Sequence, residues 1–75
     1  MTLEEAEEKI HIGKTYQHYK GRVYTVDCIA TDVETSRLMV LYHKVKNENT
    51  DYFVIPVDMW LENINVPRFK LLEEE

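Results

Sequence analysis

The chain has 75 residues, 44% hydrophobic and 11% aromatic, which allows one domain with one core and excludes a multi-domain machine. Its single cysteine, Cys28, excludes stabilisation by an internal disulfide. The formal net charge of −5 is concentrated at the ends: residues 1–9 carry −3, residues 73–75 another −3, and the 63 residues between them +1, which excludes a strong electrostatic grip on nucleic acid.

Thr2-Leu3-Glu4-Glu5 opens the chain as a capping box, a threonine cap followed three residues later by glutamate. Leu3, Ala6 and Ile10 then fall on one side of a short helix, with glutamates on the other side and near the positive end of the helix dipole. Such a helix is marginal alone and must dock its apolar stripe. Gly13 is the expected stop.

From Lys14 the periodicity changes to that of strands. Tyr16-Gln17-His18-Tyr19 runs into Lys20-Gly21, where glycine supplies the positive φ of a tight turn. Residues 22–30 return as the second arm of a hairpin, with Tyr24, Val26, Cys28 and Ala30 expected on one apolar face and Thr25 and Asp27 on the other. Residues 31–36 are polar without Gly or Pro and read as an ordered loop.

Residues 37–45 are the most strand-like run. Leu38, Val40 and Tyr42 line one side, Met39, Leu41 and Val45 the other. A strand apolar on both sides is expected to be covered on both sides, by the core and by the N-terminal helix or a second subunit. Residues 46–50 form a turn by composition. Residues 51–55 form a strand ending at Pro56, Val57, Trp60 and Leu61 suit one helical turn, and residues 68–72 make a last short strand.

The pattern therefore predicts a mainly β domain: four to six short antiparallel strands curled into a small barrel, with one short helix at the N-terminus. Residues 1–12 form the helix and lead-in, 13–72 the barrel and 73–75 an acidic tail. The expected core is Tyr24, Val26, Cys28, Ala30, Val40, Leu41, Val54, Trp60 and Phe69.

A family resemblance emerges from an ordered set of short motifs. These are Gly13-Lys14, His18-Tyr19-Lys20-Gly21, Tyr24 with Val26, Glu34-Thr35, and Val40-Leu41-Tyr42. Phe53-Val54 with Pro56, Met59, Leu61-Glu62 and Val66-Pro67-Arg68-Phe69-Lys70-Leu71 complete the set. In this order the motifs resemble a bacterial family catalogued as domain of unknown function 1653. The resemblance implies a compact barrel of SH3-like type and implies no activity. The chain departs from the family at Phe53 and Ile55, where tryptophan and arginine are usual, and at Asn47-Glu48-Asn49, where the family favours a glycine-bearing turn.

Candidate chemistry is sparse. His11, His18, His43 and Cys28 match no zinc-ligand spacing, so no metal site and no cofactor is expected. The only serine, Ser36, lacks a nucleophile elbow, and Cys28 lies mid-strand, where a thiol is usually an inert small hydrophobe. Asp32 and Glu34 read as solubilising loop carboxylates. A small hydrolase-like enzyme is the least supported reading.

Two binding classes stand ahead of it. Exposed aromatics beside cations can stack single-stranded nucleic acid, though a near-neutral body offers few phosphate contacts. A protein- or peptide-binding module is favoured, because Tyr, Trp and Arg are preferred interface anchors. The expected contact residues are Tyr16, His18, Lys20, Trp60 and Arg68, joined if the hairpin and the C-terminal strand close together. The oligomeric state is left open between monomer and homodimer. No stretch approaches the roughly 20 apolar residues of a membrane span, and the acidic start is the wrong sign for a signal peptide, so a cytoplasmic protein is expected.

Overall fold

A computed structural model describes residues 1–45, 51–64 and 66–72. The expected turn at 46–50 and the acidic tail at 73–75 lie outside the described residues. Helix α1 spans Leu3–Lys9 and begins on the expected capping box. Thr2 Oγ1 accepts the Glu5 N–H at 3.2 Å, and Glu5 Oε1 accepts the Thr2 N–H at 3.1 Å. Accepting hydrogen bonds from the backbone and then the side chain of Thr2 holds the Glu5 carboxyl below its ordinary value. The apolar stripe docks through Ala6 and Ile10, both buried, while Leu3 stays exposed. The helix ends at Lys9, ahead of Gly13. The glycine instead turns the chain into the first strand at φ +82° and donates its N–H to Val26 O at 2.8 Å.

Among the described residues seven strands follow: β1 (Thr15–His18), β2 (Val23–Thr31), β3 (Leu38–Lys44), β4 (Tyr52–Pro56), β5 (Asn63–Ile64), β6 (Val66–Pro67) and β7 (Phe69–Leu71). A single helical turn, α2 (Val57–Trp60), joins β4 to β5. Five strands make one antiparallel sheet in the order β4-β3-β2-β1-β7, and β5-β6 form a separate small ladder. Among the described residues no ladder joins β4 to β7, so the sheet is open where closure was expected. No helix among the described residues is long and apolar enough to cross a membrane.

The β1–β2 hairpin closes as anticipated. Gly21 takes φ +106°, and its N–H reaches His18 O at 2.7 Å. The loop after β2 is ordered without glycine because Asp32 folds it. Asp32 Oδ1 accepts the N–H groups of Glu34 and Thr35 at 2.9 and 3.4 Å, and Ser36 takes the left-handed φ of 61°. Asp32 is thus engaged in shaping a turn, which leaves little for a catalytic carboxylate pair.

The main departure lies in β2. Its register against β3 shifts between Val26 and Cys28, leaving Asp27 as the extra residue of a β-bulge. A one-residue insertion exchanges the two faces of everything after it. Val26 is buried, but beyond the bulge Ile29 turns to the core, Cys28 is only half-buried, and Ala30 is exposed. Cys28 then opposes Leu41, which in turn opposes Val54 on the outer side of the sheet. Leu41 is half-buried and Val54 is 59% exposed, so Ala30 and Val54 leave the expected core.

The inner side holds the core: Ala6, Ile10, Tyr16, Val26, Val40, Val57, Trp60 and Phe69. Helix α1 therefore packs on the side the core already occupies, and the outer face of β3 is not covered by it. A pair of substitutions reads this register. Val40→Ala should cost about 1–3 kcal/mol by lost burial and a cavity, whereas Val54→Ala should change stability by no more than about 0.5 kcal/mol. Urea midpoints of the two variants check the assignment, and equal shifts would reject it.

Candidate functional site

The site grows out of the aromatic seam on the inner side of the sheet. Antiparallel pairing of β1 with β7 sets His18 opposite Phe69 and Tyr16 opposite Leu71. The Phe69 ring stacks on Trp60 at 3.7 Å with an interplanar angle of 5°. Trp60 meets the edge of Tyr16 at 5.2 Å, and His18 meets Phe69 edge-on at 5.0 Å. Four of these rings thus form one continuous row from core to surface.

The row divides the expected contact residues. Tyr16 and Trp60 are 4% and 2% exposed, so their rings supply packing area and no surface for a partner. The Tyr16 hydroxyl accepts the His11 N–H at 2.9 Å, and burial raises its pKa against the lowering effect of that bond. His18, Lys20 and Arg68 are the three that reach the surface end. Their reach comes from the backbone: Tyr19 N–H donates to Arg68 O at 2.9 Å, tying the β1–β2 turn to the bend before β7.

At that end His18 lies against the Tyr19 ring, with centroids 4.5 Å apart. Tyr19 is 47% exposed, and Lys20 Nζ lies 5.8 Å from its centroid, within cation–π range. His18 Nδ1 accepts the Lys20 N–H at 3.1 Å, which shapes the turn and favours the neutral ring. Arg68 is mostly buried and pairs through Nη2 with Glu62 Oε2 at 3.2 Å. Its own N–H donates to Glu62 O at 3.0 Å, while its Nε is buried without an acceptor among the described residues.

The electrostatics of this corner are positive. Partial burial, then the charges of Arg68, Lys20 and Arg22, lower the His18 pKa. Burial and the neighbouring Tyr24 raise the Tyr42 pKa, and Arg68 opposes them. A cleft of about 390 Å³ opens here, with His18, Tyr19 and Gly21 on one wall and Val66, Pro67 and Lys70 on the other. A larger hollow of about 460 Å³ is lined by Arg22, Val23, Lys44 and Val45. Among the described residues its lining presents no aromatic ring.

The lowered His18 pKa has a measurable consequence. The fold favours the neutral ring, so His18 contributes stability that is present above the ordinary imidazole value and lost as pH falls through its own lower one. Its ring proton shifts should titrate below the ordinary range and move back toward it in Lys20→Ala and Arg22→Ala. An unshifted titration in all three proteins would remove the positive corner.

Two features had no counterpart in the sequence reading. Glu62 is the partner of Arg68, six positions away across the small β5–β6 ladder. On the outer face, His43 Nδ1 and Asp27 Oδ2 lie 2.7 Å apart, with the His43 ring edge-on to Tyr52 at 5.7 Å. A carboxylate-oriented histidine is half of a general-base arrangement. This pair lies half-buried on the outer face of the sheet beside the exposed Tyr52. The histidines do not converge, since His18 and His43 project from opposite sides of the sheet. Among the described residues no group of three or more His, Cys, Asp or Glu is placed to hold a metal.

Residues 14–71 match the family described as protein of unknown function (DUF1653). The chain belongs to this family. The DUF1653 match starts one residue after Gly13 and contains every strand, the cleft and the Arg68–Glu62 pair, while α1 lies outside it. No curated protein and no solved structure matches the chain.

Proposed function

We propose that this chain is a small SH3-like binding module, bacterial and cytoplasmic, that docks an acidic protein or peptide partner at the corner formed by the β1–β2 turn and the bend before β7. The observation that carries this reading is the gathering of Lys20, Arg22 and Arg68 around His18, beside a cleft and an exposed Tyr19 ring. Cations draw and orient carboxylates, and an exposed aromatic next to them supplies the desolvated area that gives an interface its strength. The SH3-like part rests on five antiparallel strands in one meander-like sheet with a helical turn between β4 and the C-terminal strands. Bacterial origin rests on the family resemblance, and the lone free cysteine suits a reducing compartment.

The test uses the peptide acetyl-Glu-Glu-Phe-Glu-Glu-amide as probe. Lys20→Ala and Arg68→Met should each weaken its binding, the latter about tenfold, because a hydrogen bond to a charged group is worth about 1.5 kcal/mol or more. Arg68→Met keeps most of the hydrocarbon stem, so an unchanged amide spectrum shows that the fold survives. The His18–Tyr19 ring pair also suits base stacking, which is the nucleic-acid alternative. Binding of a short thymidylate oligonucleotide should be weak and vanish near physiological salt. Tight oligonucleotide binding that persists at that salt, with no response to the peptide, would transfer the site to the alternative.

A further inference from the structure

We infer that Glu62 is a built-in competitor: it caps Arg68 in the free protein and gives up its place to a carboxylate of the bound partner. This deepens, and rests on, the partner-binding reading above. An arginine side chain offers five donors in a planar fork that suits a carboxylate held by two parallel bonds. Arg68 is held by one. Nη2 meets a single oxygen of Glu62 at 3.2 Å, and Nε is buried with no acceptor among the described residues. A buried donor left unmet is costly, so the free state carries a penalty that a better-placed acceptor removes.

The surroundings decide which side of the pair moves. The backbone at Arg68 is clamped on both sides, its N–H on Glu62 O at 3.0 Å and its carbonyl on Tyr19 N–H at 2.9 Å. The Glu62 side chain is 47% exposed, and Arg68 is its only hydrogen-bond partner among the described residues. The carboxylate can therefore swing into water at little cost, freeing the guanidinium to turn toward an incoming group. Charge selects that group: Arg68, Lys20 and Arg22 act together on His18 here, and Glu62 is the carboxylate set against them. The ligand is thus an acidic peptide, whose carboxylate takes both Nε and one Nη of Arg68 while a neighbouring apolar residue lies on Tyr19.

The experiment is a double-mutant cycle read by amide shift titration with acetyl-Glu-Glu-Phe-Glu-Glu-amide. Glu62→Gln should bind the peptide about two- to fivefold more tightly than the parent, the fold-change expected on removing a competing, partly exposed ion pair. The same change in an Arg68→Met background should bring no gain, because the competition acts only through Arg68. Asp58→Asn removes an equal charge from a site 79% exposed and paired with Arg37, and it should leave affinity unchanged. Equal gains for Glu62→Gln and Asp58→Asn, or a Glu62→Gln gain that survives Arg68→Met, would overturn the capping role while leaving the partner-binding reading in place. Absence of peptide binding by the parent and by Glu62→Gln, with both folded, would overturn the two together.

Discussion

Trp60→Ala should leave the chain largely unfolded at room temperature. Trp60 is 2% exposed, and its indole is stacked on Phe69 and set edge-on to both Tyr16 and Tyr42 at 5.2 Å. Truncating a buried tryptophan typically costs about 3–5 kcal/mol. A single core of this size supplies only about 3–5 kcal/mol in total, and the free Cys28 offers no disulfide to offset the loss. Far-UV circular dichroism against urea reads the outcome without needing the lost fluorophore. The expected trace lacks a folded baseline; a sigmoidal transition near the parent midpoint would show that the ring contributes little. Loss of Trp60 would also unseat Phe69, and with it the strand that follows Arg68, so the core and the candidate site stand on the same stack.

The second large effect is expected at Ile10. This residue is fully buried beside Ala6 in the common core. Ile10→Ala should cost about 2–5 kcal/mol, and more of that loss should appear locally than at Trp60. Helix α1 has seven residues and holds together only through its capping box and its docked stripe. Without Ile10 the helix should undock, and the amides of α1 should exchange with solvent faster than those of β2 and β3. Leu3→Ala, at a position 47% exposed on the same helix, should stay within about 0.5 kcal/mol of the parent. Equal effects at Leu3 and Ile10 would mean that the helix rests on the surface and does not enter the core.

These two residues also show why parts of the fold are legible in the sequence. Thr2 with Glu5 and the spacing of Ala6 and Ile10 are local signals, and local signals survive into the structure because nothing distant competes with them. The same is true of Gly21 in the hairpin, of the alternation in β3 and of the turn at Val57–Trp60. The bulge at Asp27 is different. It has no glycine to announce it, and it arises from how β2 settles against β3. From that one residue follow the exposure of Ala30 and the placing of Cys28 on the outer face, where the regular alternation of β3 and β4 already puts Leu41 and Val54, so strict alternation carried too far along β2 misplaced its second half. The open sheet has a similar cause, since closure depends on strand curvature and not on side-chain periodicity.

The candidate site was half legible for a related reason. His18 and Lys20 lie in a short motif at the β1–β2 turn, where polar side chains reach the surface whatever the packing, while Arg68 lies at the bend before β7 with its side chain largely buried. Tyr16 and Trp60 carry interface-type side chains, yet in a small domain the largest rings are the scarcest source of core volume, and both are taken up there. The pairing of Arg68 with Glu62 needed the path of the chain through the small β5–β6 ladder, which composition does not encode.

An acidic partner is expected to bind at the corner of the β1–β2 turn and the bend before β7. Backbone amide shifts on addition of acetyl-Glu-Glu-Phe-Glu-Glu-amide test it most directly, near physiological salt. The largest shifts are expected at His18, Tyr19, Lys20, Gly21, Arg68 and Lys70, with Cys28, Leu41 and Val54 on the outer face unmoved. Shifts concentrated on that outer face, or spread evenly over every lysine and arginine, would contradict it.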